Sequence, residues 1–180
     1  MPPGPLRSLS EVHRLIDYDR AVFDRFVRRL SRLPWAEVSR EREIGHRTLF
    51  GTLVHILHVQ EVWMVYLVRG RTRELPALFA ESARQPTTWK EFRAYSQRVW
   101  TGVDATVGKL TVRDLDRRVR APWFPKGRYT VGDAVLQTTL EEAHHLGEII
   151  GALWQDDRPS PPMTWIEVTR TQPRPRRTKR

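Results

Sequence analysis

Glu141 and His145 stand four residues apart in TLEEAHHLGEII, and His55 lies in the apolar run LFGTLVHILHVQEVWMVYL. Positions i and i+4 share a face of an α-helix, so Ala134, Thr138, Glu141, His145, Ile149 and Ala152 are expected to form one buried row that is otherwise small or apolar. A carboxylate buried on such a row is costly unless it is paired, hydrogen-bonded or bound to a metal. Two imidazoles and one carboxylate gathered from two helices leave coordination positions open for water or substrate. That set suits a mononuclear catalytic site for Zn²⁺, Ni²⁺, Fe²⁺ or Mn²⁺. Such an ion would neutralise the carboxylate and acidify a water or a thiol, which makes a nucleophile. Without an ion, Glu141 would simply pair with His145 across one helical turn.

Other polar groups flank these three. His58 and Glu61 lie on the face of the second helix next to that of His55, and Glu148 follows His145 by three residues. They are candidates to orient the ligands or to act as a general base. His144, turned about 100° from His145, reads as an outer or surface group. His13 and His46, each alone in its segment, are given no role. Glu141-x-x-His144 and Glu142-x-x-His145 have the form used in di-iron bundles. The second helix carries only the reversed order His58-x-x-Glu61, and a single-ion site is favoured.

The elements that must position these groups follow from capping signals and apolar spacing. Ser8 with Glu11 forms a capping box, and Val12, Ile16, Phe23, Phe26, Leu30 and Leu33 recur at helical spacing up to Pro34. A second helix is expected from Thr48 to Arg69, with Gly70 as its stop. Thr88 and Glu91 open a third helix, which runs to about Gly108. The stretch RRVRAPWFPKGRYTV changes period, with Val119, Ala121 and Trp123 alternating, and reads as a loop or small hairpin. Thr130 with Asp133 opens the fourth helix, which extends to about Trp154, and MTWIEV packs back through Met163, Trp165 and Ile166. The fold class is all-α: a four-helix bundle with a long third connection, in which polar sites are built from inward side chains.

Composition bounds the chemistry. The 180 residues are 39% hydrophobic with seven tryptophans, which is enough for one domain with a real core. The absence of cysteine excludes disulfides, thiolate metal sites, iron–sulfur clusters and a cysteine nucleophile. No Ser-His-Asp order, phosphate loop or dinucleotide fingerprint is present. Of the net charge of +10, six positive charges lie after Glu167 with no acid among them, leaving +4 for the rest. The domain is therefore placed at residues 1–167, and 168–180 is read as a basic, disordered tail. Nucleic-acid binding is not expected from a charge so distributed. A membrane span and a secretory signal are not expected either, so a cytoplasmic protein is the default.

TLVHILHVQEVW, a His followed eight residues later by Trp63, resembles the second-helix motif of DinB-like proteins. LEEAHHLGEI is similar to the fourth-helix motif of that family, in which two His four apart precede a Gly, here Gly147. The resemblance runs from the first helix to about Trp165. It implies a four-helix bundle that holds a divalent metal, often within a homodimer, and it places the ligands at His55, Glu141 and His145. Glu141 stands where the family usually has His, and Leu146 and Glu148 stand where Arg and Gln are common. What the resemblance implies for activity is a thiol-dependent transferase or a hydrolase acting on a small-molecule substrate, in the first case with a low-molecular-weight thiol. The alternative is a non-catalytic, metal-stabilised dimer that serves as a binding or stress-response module.

Overall fold

The structure is a computed structural model and describes residues 5–82 and 85–171, the side chains of Ser82, Arg170 and Thr171 excepted. Helix α1 (Leu9–Leu30) starts at the expected capping box, where Ser8 and Glu11 satisfy each other's backbone N–H groups. Its inner stripe buries Val12, Ile16, Val22, Phe23, Phe26 and Leu30. Pro34 begins the short α2 (Trp35–Ser39), and a loop then leads to Thr48, whose hydroxyl accepts the Gly51 N–H and caps α3 (Leu49–Gln60).

The second long helix departs from a regular 3.6-residue period. Beyond Gln60 it continues as a π-helical segment, Glu61–Leu67, in which the Val68 N–H reaches back five residues to the Trp63 carbonyl. Val62, Trp63, Met64, Val65 and Leu67 are all buried. Packing on nearly every side sets this stretch, and an apolar stripe has no power to predict its wider turns. Gly70, at φ +72°, ends it as the sequence predicts.

The connection that follows is more structured than its polar composition suggests, since it contains α4 (Leu75–Ser82) with Leu75 and Leu78 buried. Thr88 caps α5 (Trp89–Val107), which packs against the π-helical segment. The long third connection is a 3₁₀ turn at Val112–Asp116 and a hairpin of two-residue strands, β1 (Arg118–Val119) and β2 (Tyr129–Thr130), paired antiparallel with Arg118 opposite Thr130. Val119 and Ala121 are buried as the alternation predicts, while Trp123 is partly exposed. Thr130 and Asp133 form the predicted capping box of α6 (Val131–Gln155), which packs on both α1 and α3.

Four long helices thus close one core, with Phe23 of α1 against Phe92 and Trp100 of α5. The chain after α6 returns across α1. The Tyr18 hydroxyl donates to the Met163 carbonyl, and the Trp165 ring lies 5.0 Å from that of Tyr18. Ile166, expected to pack inward, is 67% exposed, and Val168 of α7 (Trp165–Thr171) is the buried residue instead. Helical structure therefore continues past residue 167, and the rest of the basic tail, 172–180, lies outside the described residues. No helix among the described residues is long and apolar enough to cross a membrane.

Candidate metal centre

Three imidazoles converge at one end of the bundle: His55 from α3, His145 from α6 and His46 from the loop before α3. Their ligand nitrogens all lie within 4.8 Å of one another. The His46 and His55 rings stack at 3.6 Å, and His145 meets both edge-on, at 5.0 Å and 4.6 Å. Sequence spacing brings His55 and His145 to the same place but misses His46.

The loop is built to deliver His46. Arg40 and Arg42 hold Asp156, at the end of α6, through contacts of 2.8 Å. The Arg42 N–H reaches the Arg47 carbonyl, and Arg47 adopts φ 61°, the left-handed region that β-carbon sterics disfavour by roughly 1 kcal/mol. Two glycines let the loop close. A Cβ at Gly51 would stand 2.8 Å from the His46 carbonyl oxygen, and one at Gly45 would stand 2.9 Å from Glu148 Oε1. Gly45 and Gly51 flanking the capping Thr48 are the sequence signal that could have drawn attention to His46.

The donors are ready for a cation. Burial, followed by the neighbouring His46, His145 and His58, pushes the His55 imidazole down to about 3, so it is neutral at physiological pH. Burial and then His145 also lower His46. A neutral imidazole offers a lone pair with no proton to displace, as burial favours at His46 and His55. Three imidazoles facing each other suit a borderline divalent ion such as Zn²⁺, Ni²⁺ or Fe²⁺. Glu148 Oε2 contacts His145 Nδ1 at 2.9 Å and Glu148 Oε1 accepts the Gly45 N–H at 3.3 Å, so one carboxylate ties helix ligand to loop. Burial would raise the Glu148 carboxyl, but these hydrogen bonds outweigh it and hold the group below its ordinary value. With Nδ1 engaged, Nε2 is the His145 nitrogen left for a ligand.

Glu141 lies beside this cluster and not within it. Its Oε2 is 3.4 Å from His145 Nε2, its Oε1 accepts from Gln137 at 2.7 Å, and its side chain is 35% exposed. The buried carboxylate of α6 is Glu142, at 3%. The burial expected of Glu141 is thus corrected by helix geometry. At about 100° per residue, the buried arc through Thr138, Ile149 and Val135 centres roughly 10° from Glu142 and roughly 90° from Glu141. His144 is exposed, 3.9 Å from Glu148 Oε1.

Two of the imidazoles, His46 and His55, line a cavity of ≈ 820 Å³ together with His58, Glu61, Tyr95 and Arg98 among others, and His145 stands behind them. His58 is neutral, lowered by burial, and its Nδ1 has no hydrogen-bond partner among the described residues. Glu61 is buried and accepts the Tyr95 hydroxyl at 3.0 Å. The model of one protein family, described as the DinB superfamily, matches residues 18–149, a span that holds all three histidines. A search of the curated proteins finds no match for the chain.

Proposed function

The chain belongs to the DinB superfamily, and we propose that it is a metal-dependent enzyme whose single divalent ion is held by His46, His55 and His145. The convergence of those three nitrogens within 4.8 Å, at the mouth of a cavity, carries this reading. A divalent ion bound there supplies Lewis acidity, which brings the pKa of an adjacent thiol or water towards neutrality. The reaction class is transfer to a low-molecular-weight thiol, or hydrolysis, on a small molecule that fits the cavity.

The chain's own groups do the rest. Glu148 orients His145 through Nδ1 and fixes the loop through Gly45. Val54, Leu78 and Ala94 supply apolar walls that exclude water from the bound substrate. His58, one helical turn from His55, is a neutral base on the cavity wall and would take the proton released by the nucleophile. A cavity of this size favours catalysis over the metal-stabilised scaffold.

Elemental analysis of protein made without a histidine tag tests the ligand set. We expect one divalent ion per chain, lost in His145→Ala and in His46→Ala. Metal content unchanged in both variants would overturn the assignment. Thiol-conjugation and hydrolysis assays on the loaded protein then decide between the two reaction classes.

The homodimer implied by the family belongs to the same proposal and is placed on the outer face of α6. There Leu140 and Trp154 are exposed, at 57% and 65%, and a Cβ added at Gly147 or Gly151 would meet nothing within 4 Å among the described residues. Trp154→Glu is expected to yield a monomer by light scattering; a wild-type monomer would remove this part of the proposal.

A further inference from the structure

The cavity that opens on the imidazoles has a second pole, formed by Glu61, Glu81, Tyr95 and Arg98. Glu61 is 6% exposed, and its close hydrogen bond is from the Tyr95 hydroxyl at 3.0 Å. Arg98 is nearer to Glu81, at 3.1 Å, than to Glu61, at 3.7 Å, and its guanidinium lies over the Tyr95 ring at 5.1 Å. Two carboxylates face one guanidinium, so this end of the cavity is net negative in a chain whose net charge is +10.

Distance separates the two poles. Glu61 follows His55 by six residues of helix, roughly 9 Å along the axis. One small reacting group does not reach both, so Glu61 is placed to hold a different part of the same ligand. The π-helical segment begins at Glu61, and π-turns recur where helices carry functional side chains.

We propose that the substrate of this cavity carries a protonated amine, which seats against Glu61 while its reacting group faces His46, His55 and His145. A carboxylate would meet Glu61 and Glu81 with the single Arg98 already engaged. A neutral hydroxyl would leave the buried carboxylate with only the Arg98 guanidinium, 3.7 Å away and shared with Glu81, as its counter-charge. An ammonium gives a charge-assisted hydrogen bond and compensates that charge. Burial raises the Glu61 carboxyl, and also raises Tyr95, which therefore keeps its proton and donates. Val54, Leu78 and Ala94 give the ligand an apolar middle. The proposal rests on the enzymatic reading only in taking the cavity as the substrate site.

Three probes of one shape decide the matter: benzylamine, benzyl alcohol and benzoate, titrated by amide NMR. The protein is first stripped of metal, because an amine can coordinate an ion directly. Benzylamine is expected to bind at least about tenfold more tightly than the other two, as a hydrogen bond to a charged group allows. Glu61→Gln should abolish the preference. Arg98→Ala, at a half-exposed position that folding tolerates, should strengthen amine binding. Benzoate binding as well as benzylamine, a preference that survives Glu61→Gln, or weaker amine binding in Arg98→Ala would each overturn the proposal. If Glu61→Gln fails to fold, the Arg98→Ala arm decides alone. Metal content is measured separately: its loss with the amine preference intact refutes the enzymatic reading only, and the converse refutes only the amine.

Discussion

α3 and α6 each contribute to two polar clusters that have opposite deficits. At the mouth, His46, His55 and His145 bring imidazole nitrogens together, with His46 and His55 lowered by burial. Deeper in the bundle, Asp19 of α1, Gln60 of α3 and Glu142 of α6 bring oxygens together with too few donors. Asp19 accepts from Thr139 at 2.9 Å and from Gln60 at 3.5 Å, yet Asp19 Oδ1, Gln60 Oε1 and both Glu142 oxygens find no partner among the described residues. Burial pushes the Asp19 carboxyl up to about 7, and burial and then the Asp19 charge raise Glu142 well above its ordinary range. On the proposed function a cation completes the nitrogen cluster, whereas protons complete the oxygen cluster. A polar residue on a core stripe is therefore not in itself a ligand; the element that donates, and the access to a cavity, decide which it is.

The largest expected effect separates the clusters outright. His55→Ala removes one of the three proposed ligands and is expected to lower Zn²⁺ affinity by at least about a hundredfold, more than the loss of an outer-shell partner costs. Asp19→Asn should leave affinity within about threefold. Competition with a chromogenic chelator measures both, and equal losses would show that the two clusters act as one site.

Stability reverses the ranking. Both acids have folded-state pKa values above their unfolded ones, so the native state binds more protons between pH 4 and pH 7. Their stabilising contribution is fully present below the unfolded pKa and is lost as pH rises through the folded value of about 7 for Asp19. Glu142→Gln supplies two donors to unpartnered oxygens and removes the charge. It should stabilise the protein by about 2 kcal/mol at pH 8, or very roughly 6 °C in Tm, and by much less at pH 4. Calorimetry at the two pH values checks this; a Tm gain independent of pH would mean that the pair is already neutralised by something other than protons.

How much of this was legible in the sequence follows the same division. The capping boxes at Ser8 and Thr130, the Gly70 stop and the 3.6-residue stripes gave the helices, because those signals are local. The position of His55 and His145 was legible because both lie on such stripes. His46 was not, because it sits on a loop whose path depends on Arg42 and Gly45 meeting the distant Asp156 and Glu148. The π-helical turn at Glu61 was hidden for a related reason, since burial on nearly every side erases periodicity. Glu141 and Glu142 are neighbours in sequence, and choosing between them needed the helix to be oriented to about 40°, finer than six residues in a row can specify.

Glu148 offers a smaller effect that tests how the loop ligand is coupled to the helix ligands. It touches His145 Nδ1 and the Gly45 N–H at once. Glu148→Gln should weaken metal binding about tenfold, as loss of a carboxylate that orients a histidine does elsewhere. Combined with His46→Ala, the losses should be less than additive if the carboxylate acts through the loop as well as through His145. Full additivity would confine its role to His145.

The smallest effect falls on the residue that spacing alone made most conspicuous. Glu141 contacts His145 Nε2 at 3.4 Å, but it is partly exposed and already holds Gln137, and no ligand group of three among the described residues includes it. A partly exposed pair of this kind contributes at most about 1 kcal/mol, so Glu141→Gln should change metal affinity by about fivefold or less. The substitution keeps shape and the Gln137 contact while removing the anionic donor. A drop as large as that of His46→Ala would restore the carboxylate as a ligand and make the centre one of mixed nitrogen and oxygen donors, with a preference shifted towards harder ions such as Mn²⁺. Comparing Zn²⁺ and Mn²⁺ affinities in the two variants reads that shift directly.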